Sequence, residues 1–493
     1  MTSTVTLLLV FVGATEAARP TIAVGSKTFT ESVILGDIAH RLILNTGEMS
    51  SHRRELGGTQ VLFHALEAGE LDVYPEYTGT ISGEILVNKN IRGESELRAA
   101  LAERGVGMSR PLGFNNTYAI GLREEVASRL GVRSVSDLRS HPELKFGFSN
   151  EFMDRADGWA GLRKRYGLPQ QDVRGLDHDL AYRALARDEI EATDLYSTDA
   201  EIRAYNLRML RDDLAFFPSY ECVWLYRADL PVRCPAAFAA LAAVEGRISA
   251  SEMAAMNARA KLDRVPDDQV AAGFVAKKLG IESVIQSETY FERLLRRLGE
   301  HLTLVSISLA AAIIVAVPLG VIAARRPRLG PIILTTAGVI QTIPSLALLV
   351  FMIPWLGIGA KPALAALFLY SLLPIIRNTA TGLSDIPTAL RESAEALGLP
   401  AGARLLRIEL PLASRAMLGG IKTAAVINVG TATIGALIGA GGFGQPILTG
   451  IRRDDVSMIL FEGAIPAAVL AMAVQWAFDL SERVLVPRGL RSD

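Results

Sequence analysis

The chain has 493 residues and a net charge of −1, so it carries no whole-chain basic footprint for nucleic acid, and its length exceeds one small domain. Half of its residues are hydrophobic. Its two cysteines, Cys222 and Cys234, exclude a zinc site or a disulfide-dense scaffold and leave two options, one short-loop bridge in an oxidising compartment or two free buried thiols.

In chain order, residues 1–18 are signal-like. An apolar run over 7–14 precedes small residues before Ala18 and Arg19, although the usual positive n-region is missing. The run is too short to span a bilayer. Residues 20–285 predict a soluble α/β unit. Residues 21–24 read as a strand, 31–44 as a helix with Val33, Ile34, Ile38, Leu42 and Leu44 on one face, 61–68 as a helix and 71–74 as a strand ended near Gly79. Strand and helix signals go on alternating through 118–122, 126–130, 144–148, 158–166 and 180–187. Residues 236–255 and 267–279 predict two Ala-rich helices packed late onto the first lobe. In 286–300, Phe291, Leu294, Leu295 and Leu298 interleave with Arg293, Arg296 and Arg297. That spacing predicts an amphipathic helix at a membrane surface, or an ordinary linker helix.

Five uncharged runs follow, over 302–324, 331–353, 362–376, 423–439 and 463–478. They predict membrane-spanning helices, since lipid leaves backbone polar groups no other partner. The third is short and extends at its ends, with Lys361 and Arg377 reaching for the interface. Arg325, Arg326 and Arg328 follow the first run. Arg391, Arg404, Arg407 and Arg415 lie between the third and fourth, and Arg483, Arg488 and Arg491 follow the fifth. The positive-inside rule makes that side cytoplasmic and puts the soluble unit outside. Arg452 and Arg453 fall on the outer side, against the rule.

A polar insert at 392–411 interrupts the apolar region. It reads Glu392, Ser393, Ala394, then Gly398, then Ile408, Leu410 and Pro411. Residues 389–397 favour helix, Gly398 permits a turn, and 405–410 predict a second short helix stopped by Pro411. A short helix on such a loop can dock in a partner's groove; the alternative is a solvated loop. Gly439, Gly441 and Gly444 form a GxGxxG with no strand before it, so they predict helix packing or a turn, not phosphate binding. Glu462 lies at the edge of the last run and receives no role. The six histidines lack metal-ligand spacing, and no P-loop, GxSxG or HExxH occurs. Catalysis, a cofactor and a metal site are therefore not expected, and any ATP must be hydrolysed on another subunit.

The 392–411 pattern resembles the EAA loop of ATP-binding-cassette importer permeases and departs from it only at Ser393. Resemblance to the osmoprotectant (glycine betaine, carnitine, choline) permeases covers nearly all of 300–490, with matching stretches at 300–302, 317–320, 341–347 and 373–379. In the soluble half, the stretches at 25–31, 72–80, 114–118, 155–158, 196–199 and 216–220 resemble the substrate-binding proteins of the same importers.

The resemblance implies an α/β two-lobed periplasmic-binding-protein clamp fused to an all-α five-helix ABC importer permease domain, with hinges near 114–117 and 216–220. It divides the chain into the signal-like 1–18, a substrate-binding domain at 19–285, the linker or interfacial helix at 286–300 and a transmembrane permease domain at 301–493. It carries an aromatic cage onto Tyr77, Tyr118, Tyr196 and Tyr220, and a carboxylate clamp onto Lys27, Thr80 and Arg155. The residue types suit a betaine. A trimethylammonium has no N–H to donate, and each favourable ring face attracts it by about 0.5–2 kcal/mol. Lys and Arg give charge-assisted bonds to a carboxylate. Asn116 is a further pocket candidate. Asp157 is expected to orient Arg155 or to cap the helix from Gly158. In this family an acid matching Thr80 goes with choline, so threonine favours a betaine.

The expected partners are a quaternary ammonium small molecule, separate ATP-binding-cassette ATPase subunits on the 392–411 loops, membrane lipid and a second permease copy in a homodimer. The alternatives are an importer of another substrate, a larger betaine or an amino acid, and a membrane-anchored ligand sensor.

Overall fold

The computed structural model describes residues 21–87, 93–155, 157–282 and 288–486. The signal-like segment, Arg488 and Arg491 lie outside the described residues. The soluble half contains two five-stranded sheets. The first has the order β2-β1-β3-β10-β4, from β1 (Ile22–Gly25), β2 (Ser50–Arg53), β3 (Val73–Tyr77), β4 (Val106–Met108) and β10 (Cys222–Arg227). The second has the order β7-β6-β8-β5-β9, from β5 (Tyr118–Arg123), β6 (Phe146–Ser149), β7 (Val173–Leu176), β8 (Ala192–Tyr196) and β9 (Leu207–Met209). β1 runs parallel to β2 and β3, which requires the crossover helices Thr30–Asn45 and Thr59–Glu67. The first of these is buried on nearly every side, with Val33, Ile34 and Ile38 fully enclosed.

The chain leaves the first lobe after β4 through 109–117. It returns after β9 through 210–221, so that β10 closes between β3 and β4, antiparallel to both. These are the two expected hinges, and an isolated bridge pairs Asn115 with Glu221 across them. The single helix expected at 236–255 is two, Pro235–Ala242 and Ala250–Lys261. Gly246 takes φ 67° between them, and Ser249 with Glu252 forms a capping box that starts the second. Cys222 and Cys234 are both free and buried.

In the apolar half, four helices among the described residues are long and apolar enough to cross a membrane: Tyr290–Arg325, Ala360–Ser384, Ala401–Ile438 and Met458–Val484. The second expected span is a pair, Leu329–Thr342 and Ser345–Leu356, bent by 96°. The break falls at Ile343 and Pro344. Proline drives the preceding residue out of the helical region, and Ile343 has ψ 127°. The pair still connects opposite ends of the bundle. It starts beside Arg325, which bonds Glu409. It finishes at Gly357 and Ile358, which lie against Glu70 and the core of the first lobe.

Among the described residues, 288–300 supply no separate surface helix, because the helix from Tyr290 runs unbroken to Arg325; residues 286 and 287 lie outside the described residues. Its Arg293 and Arg297 turn inward to Glu462, a partner the sequence did not suggest. Pro411 does not stop a helix. A wider π-helical turn, Leu405–Glu409, precedes it, and the helix continues over Leu410–Ala432. The wide turn makes room for the ring and needs no donor from it. Gly439, Gly441 and Gly442 have φ 76°, 80° and 76° and form a turn before the helix Gly444–Arg452.

That helix seats the soluble half on the membrane half. Arg452 is 4 % exposed and ion-paired to Glu55 and to Asp267, both at 2.6 Å. It also reaches the Thr30 hydroxyl at 3.1 Å. Glu55 has φ 58°, a strained conformation for a residue with a side chain, and accepts further bonds from Thr449 and Gln445. Ile353 and Ile358 complete the apolar part of the contact by packing in the cluster that contains Leu56 and Phe63.

Candidate functional site

Strand ends and register bring the four tyrosines together. Tyr77 is the last residue of β3, and Cys222, its register partner, directly follows the hinge that carries Tyr220. Tyr118 opens β5 opposite Tyr196, which ends β8. Each lobe therefore offers rings from its sheet edge toward the other lobe. The Tyr118 centroid lies 5.0 Å from that of Tyr196 and 5.5 Å from that of Tyr220, in edge-on arrangements. Phe29, which the sequence reading passed over, lies 6.2 Å from Tyr77 and 5.7 Å from Tyr196.

The four rings share one cavity with Lys27, Phe29, Thr80, Asn116 and Glu151. It contains about 300 Å³ of empty space, of which a water-sized sphere reaches only about 20 Å³. That is little more than one water needs, so the rings largely pack against one another. A trimethylammonium enters only if the lobes part.

The cationic residues at this cleft are already held by the protein's own carboxylates. Lys27 Nζ donates to Glu76 Oε1 at 2.6 Å and to Thr59 Oγ1 at 2.9 Å. Arg155 forms a two-pronged pair with Asp157 at 2.7 and 2.6 Å and reaches Glu84 at 2.9 Å. Its guanidinium lies 5.4 Å from the Tyr118 ring centroid, and it is not among the residues that line the cavity. Asp157 thus orients Arg155 and accepts the Tyr220 hydroxyl at 2.7 Å, but it does not cap the helix after Gly158. Thr80 is buried at the cavity wall. Fixing a planar guanidinium in advance lowers the cost of presenting it.

Two supporting groups were missed. Glu31, inside the 25–31 stretch, is fully enclosed at the meeting of both lobes. One carboxylate oxygen accepts from the Tyr77 hydroxyl at 2.6 Å and Asn116 at 2.8 Å. The other accepts from Thr198 at 2.5 Å and Asn257 at 3.0 Å. Burial raises its pKa, against the lowering effect of those bonds. His178 lies against the Tyr196 ring, centroids 4.5 Å apart, between Asp194 and Asp199. Burial disfavours the imidazolium, but the two carboxylates outweigh it and hold its pKa well above the usual value. Neither had a signal in spacing, since the partners lie far apart in sequence.

At the opposite end, the 392–411 segment forms a helix Thr388–Ala396, a turn at Gly398 with φ 73° and the start of the next long helix. Glu392, Ser393 and Gly398 are exposed, Ala394 is buried, and Ile408, Leu410 and Pro411 are half-buried. Glu409 anchors the segment through Arg325 and Arg404. The Ser393 hydroxyl bonds the Ala389 carbonyl of its own helix at 2.8 Å, which satisfies the one polar departure from the motif. Leu397 and Leu406 stand 79 % and 67 % exposed on this polar segment.

Residues 20–277 match the family described as the substrate binding domain of ABC-type glycine betaine transport systems. The chain belongs to that family. Residues 316–489 match the binding-protein-dependent transport system inner membrane component, so one polypeptide carries an importer's binding and permease domains. Over 197 residues it is 43 % identical to the osmoprotectant import permease protein OsmW of Salmonella typhimurium, covering 39 % of this chain and 91 % of that protein. Over 198 residues it is 39 % identical to the choline transport system permease protein OpuBB of Bacillus subtilis, covering 40 % of this chain and 91 % of the relative. A crystal structure described as a glycine betaine/carnitine/choline ABC transporter shares 27 % identity over 52 % of this chain and 98 % of its own, with a TM-score of 0.46.

Proposed function

We propose that this chain is the binding and translocating subunit of an ATP-driven importer for quaternary ammonium compatible solutes, with glycine betaine or a related betaine as its substrate. The observation that carries the reading is the convergence of Tyr77, Tyr118, Tyr196 and Tyr220 on one cleft beside Lys27 and Thr80. Ring faces suit a cation that cannot hydrogen-bond. Lys27, 5.8 Å from the Tyr77 ring centroid, suits a carboxylate, with Arg155 behind Tyr118 as a further cation. Thr80 puts a neutral side chain where an acid goes with choline, which favours a betaine over choline. Domain boundaries at 19–285 and 301–493 go with this reading, the helix from Tyr290 joining them.

Two copies pair around the path, and separate ATPase subunits dock on the 392–411 segments, where exposed Leu397 and Leu406 supply apolar anchors. The binding domain faces the outside of the cell membrane, in line with the arginine distribution. Its tether keeps it near the permease at an effective concentration on the order of millimolar. Lobe closure by hinge motion captures the ligand.

Titrating the full chain in lipid nanodiscs with glycine betaine, carnitine, choline and a panel of amino acids tests the substrate class. Binding of a betaine is the expected result; binding of amino acids alone would overturn it.

A further inference from the structure

A water-accessible cavity at the junction of the two halves lies outside the tyrosine cleft. A water-sized sphere reaches about 210 Å³ of it, against about 20 Å³ in the cleft. One wall is the turn Arg453 and Asp454 after the helix Gly444–Arg452 of the permease. The other is the second lobe, through Tyr182, Glu201 and Tyr205.

Two of these residues are anomalous. Arg453 is 7 % exposed, yet it has no ion pair among the described residues. Its guanidinium donates to the Arg264 carbonyl at 2.7 Å, and its Nε has no hydrogen-bond partner among the described residues. The neighbouring Arg452 directs its own charge to Glu55 and Asp267. Burial, with that like charge, lowers the pKa of Arg453 against the raising effect of Asp267, Asp455 and Glu55, none of which pairs with it among the described residues. Buried cations are normally paired, so Arg453 calls for an anion. Glu201 is 8 % exposed; one of its oxygens takes Lys261 Nζ at 2.6 Å, and the other has no hydrogen-bond partner among the described residues. The same cavity therefore offers an unmatched cation and an unmatched carboxylate oxygen, beside the stacked rings of Tyr182 and Tyr205, 6.3 Å apart and 11° from parallel. A simple anion would satisfy Arg453 and be repelled by Glu201. A zwitterion puts a carboxylate on Arg453 and a cation, attracted without a hydrogen bond, beside Glu201.

We propose that this junction cavity is a second, weaker site for the transported zwitterion, its carboxylate on Arg453 and its cationic end toward Glu201 and the Tyr205 ring. The proposal rests on the betaine reading above. It makes the cavity a hand-over station, with one wall from the binding domain and one from the permease. Arg452 and Arg453, which stand on the outer side against the positive-inside pattern, then each have a task, seating the domain and receiving the ligand.

The test uses the full chain in nanodiscs with Tyr118→Ala/Tyr196→Ala to remove the cage, and saturation-transfer NMR on the methyl protons of glycine betaine. The expected result is residual binding, weaker than the wild-type cage by about fivefold or more. Adding Arg453→Gln should weaken it at least a further tenfold, while Arg453→Lys retains it in part. Choline, which lacks the carboxylate, should show no dependence on Arg453. Overturning results are no residual binding in the cage variant, residual binding indifferent to Arg453→Gln, or displacement by sulfate as effective as by betaine, which would mark an anion pocket only. If the wild-type cage binds no betaine while Arg453-dependent binding persists, the cage reading fails and the junction site stands.

Discussion

Replacing Arg452 by alanine should undock the binding domain without unfolding either half. The guanidinium sits 4 % exposed between Glu55 and Asp267, each at 2.6 Å, and touches Thr30. Removing one partner from a buried charge cluster costs about 3–5 kcal/mol, because the remaining carboxylates stay desolvated and unpaired. At about 1.4 kcal/mol per factor of ten, the docking equilibrium shifts by roughly 10²- to 10³-fold or more. That is enough to populate free domains even at the effective concentration a tether provides. Spin labels at Val232→Cys on the binding domain and Trp355→Cys on the permease report the distance. Both positions are well exposed, and the native Cys222 and Cys234 are buried. Double electron–electron resonance in nanodiscs should give one narrow distance for the parent chain and a broad distribution for Arg452→Ala. Arg452→Lys should be intermediate, since an ammonium cannot serve both carboxylates with a planar fork. An unchanged narrow distance in Arg452→Ala would refute the seating argument.

Glu31→Ala strands four donors at once and should destabilise the binding domain by about 3 kcal/mol, a fall in melting temperature of about 10 °C for a unit of this size. Circular dichroism measures it, and a fall under about 2 °C would contradict the lobe-joining role. His178 has a raised folded pKa, so its contribution is complete below the unfolded value near pH 6.5 and is lost as pH rises through the folded value. Chemical denaturation above pH 6.5 should show stability falling by up to about 1.4 kcal/mol per pH unit from this group, with a shallower slope in His178→Asn; equal slopes would exclude the effect. Leu397→Glu should abolish co-purification of an ATPase subunit while leaving betaine binding intact, and retention of that subunit would remove Leu397 as an anchor.

Much of this architecture was legible because the pattern that reveals it is local. The helix at 267–279 and the strand starting at Tyr118 follow from periodicity and breakers within a few residues. The tyrosines were legible through short motifs in order, and strand register then brings Tyr118 opposite Tyr196. What escaped depends on distance. Glu31 meets Asn257 across 226 positions, and Arg452 meets Glu55 across 397, separations at which no spacing rule applies. Breakers also misled in both directions. Pro411 was read as a stop, but the wide turn before it absorbs the ring. The Ala-rich composition of 236–255 hid the break around Gly246, where φ is positive. The charge on Lys27 and Arg155 was legible, as was Asp157 as the group that orients Arg155, but not the pairing with Glu76 and Glu84, which sets how a carboxylate would meet them.

The measurement closest to the central claim is calorimetric titration of glycine betaine into the full chain, comparing the parent with Tyr118→Ala/Tyr196→Ala. Each favourable ring face contributes about 0.5–2 kcal/mol to a desolvated quaternary cation, so losing two should raise the dissociation constant about fivefold or more, with the melting temperature showing that the domain remains folded. Near-parental affinity in the folded double variant would contradict the cage.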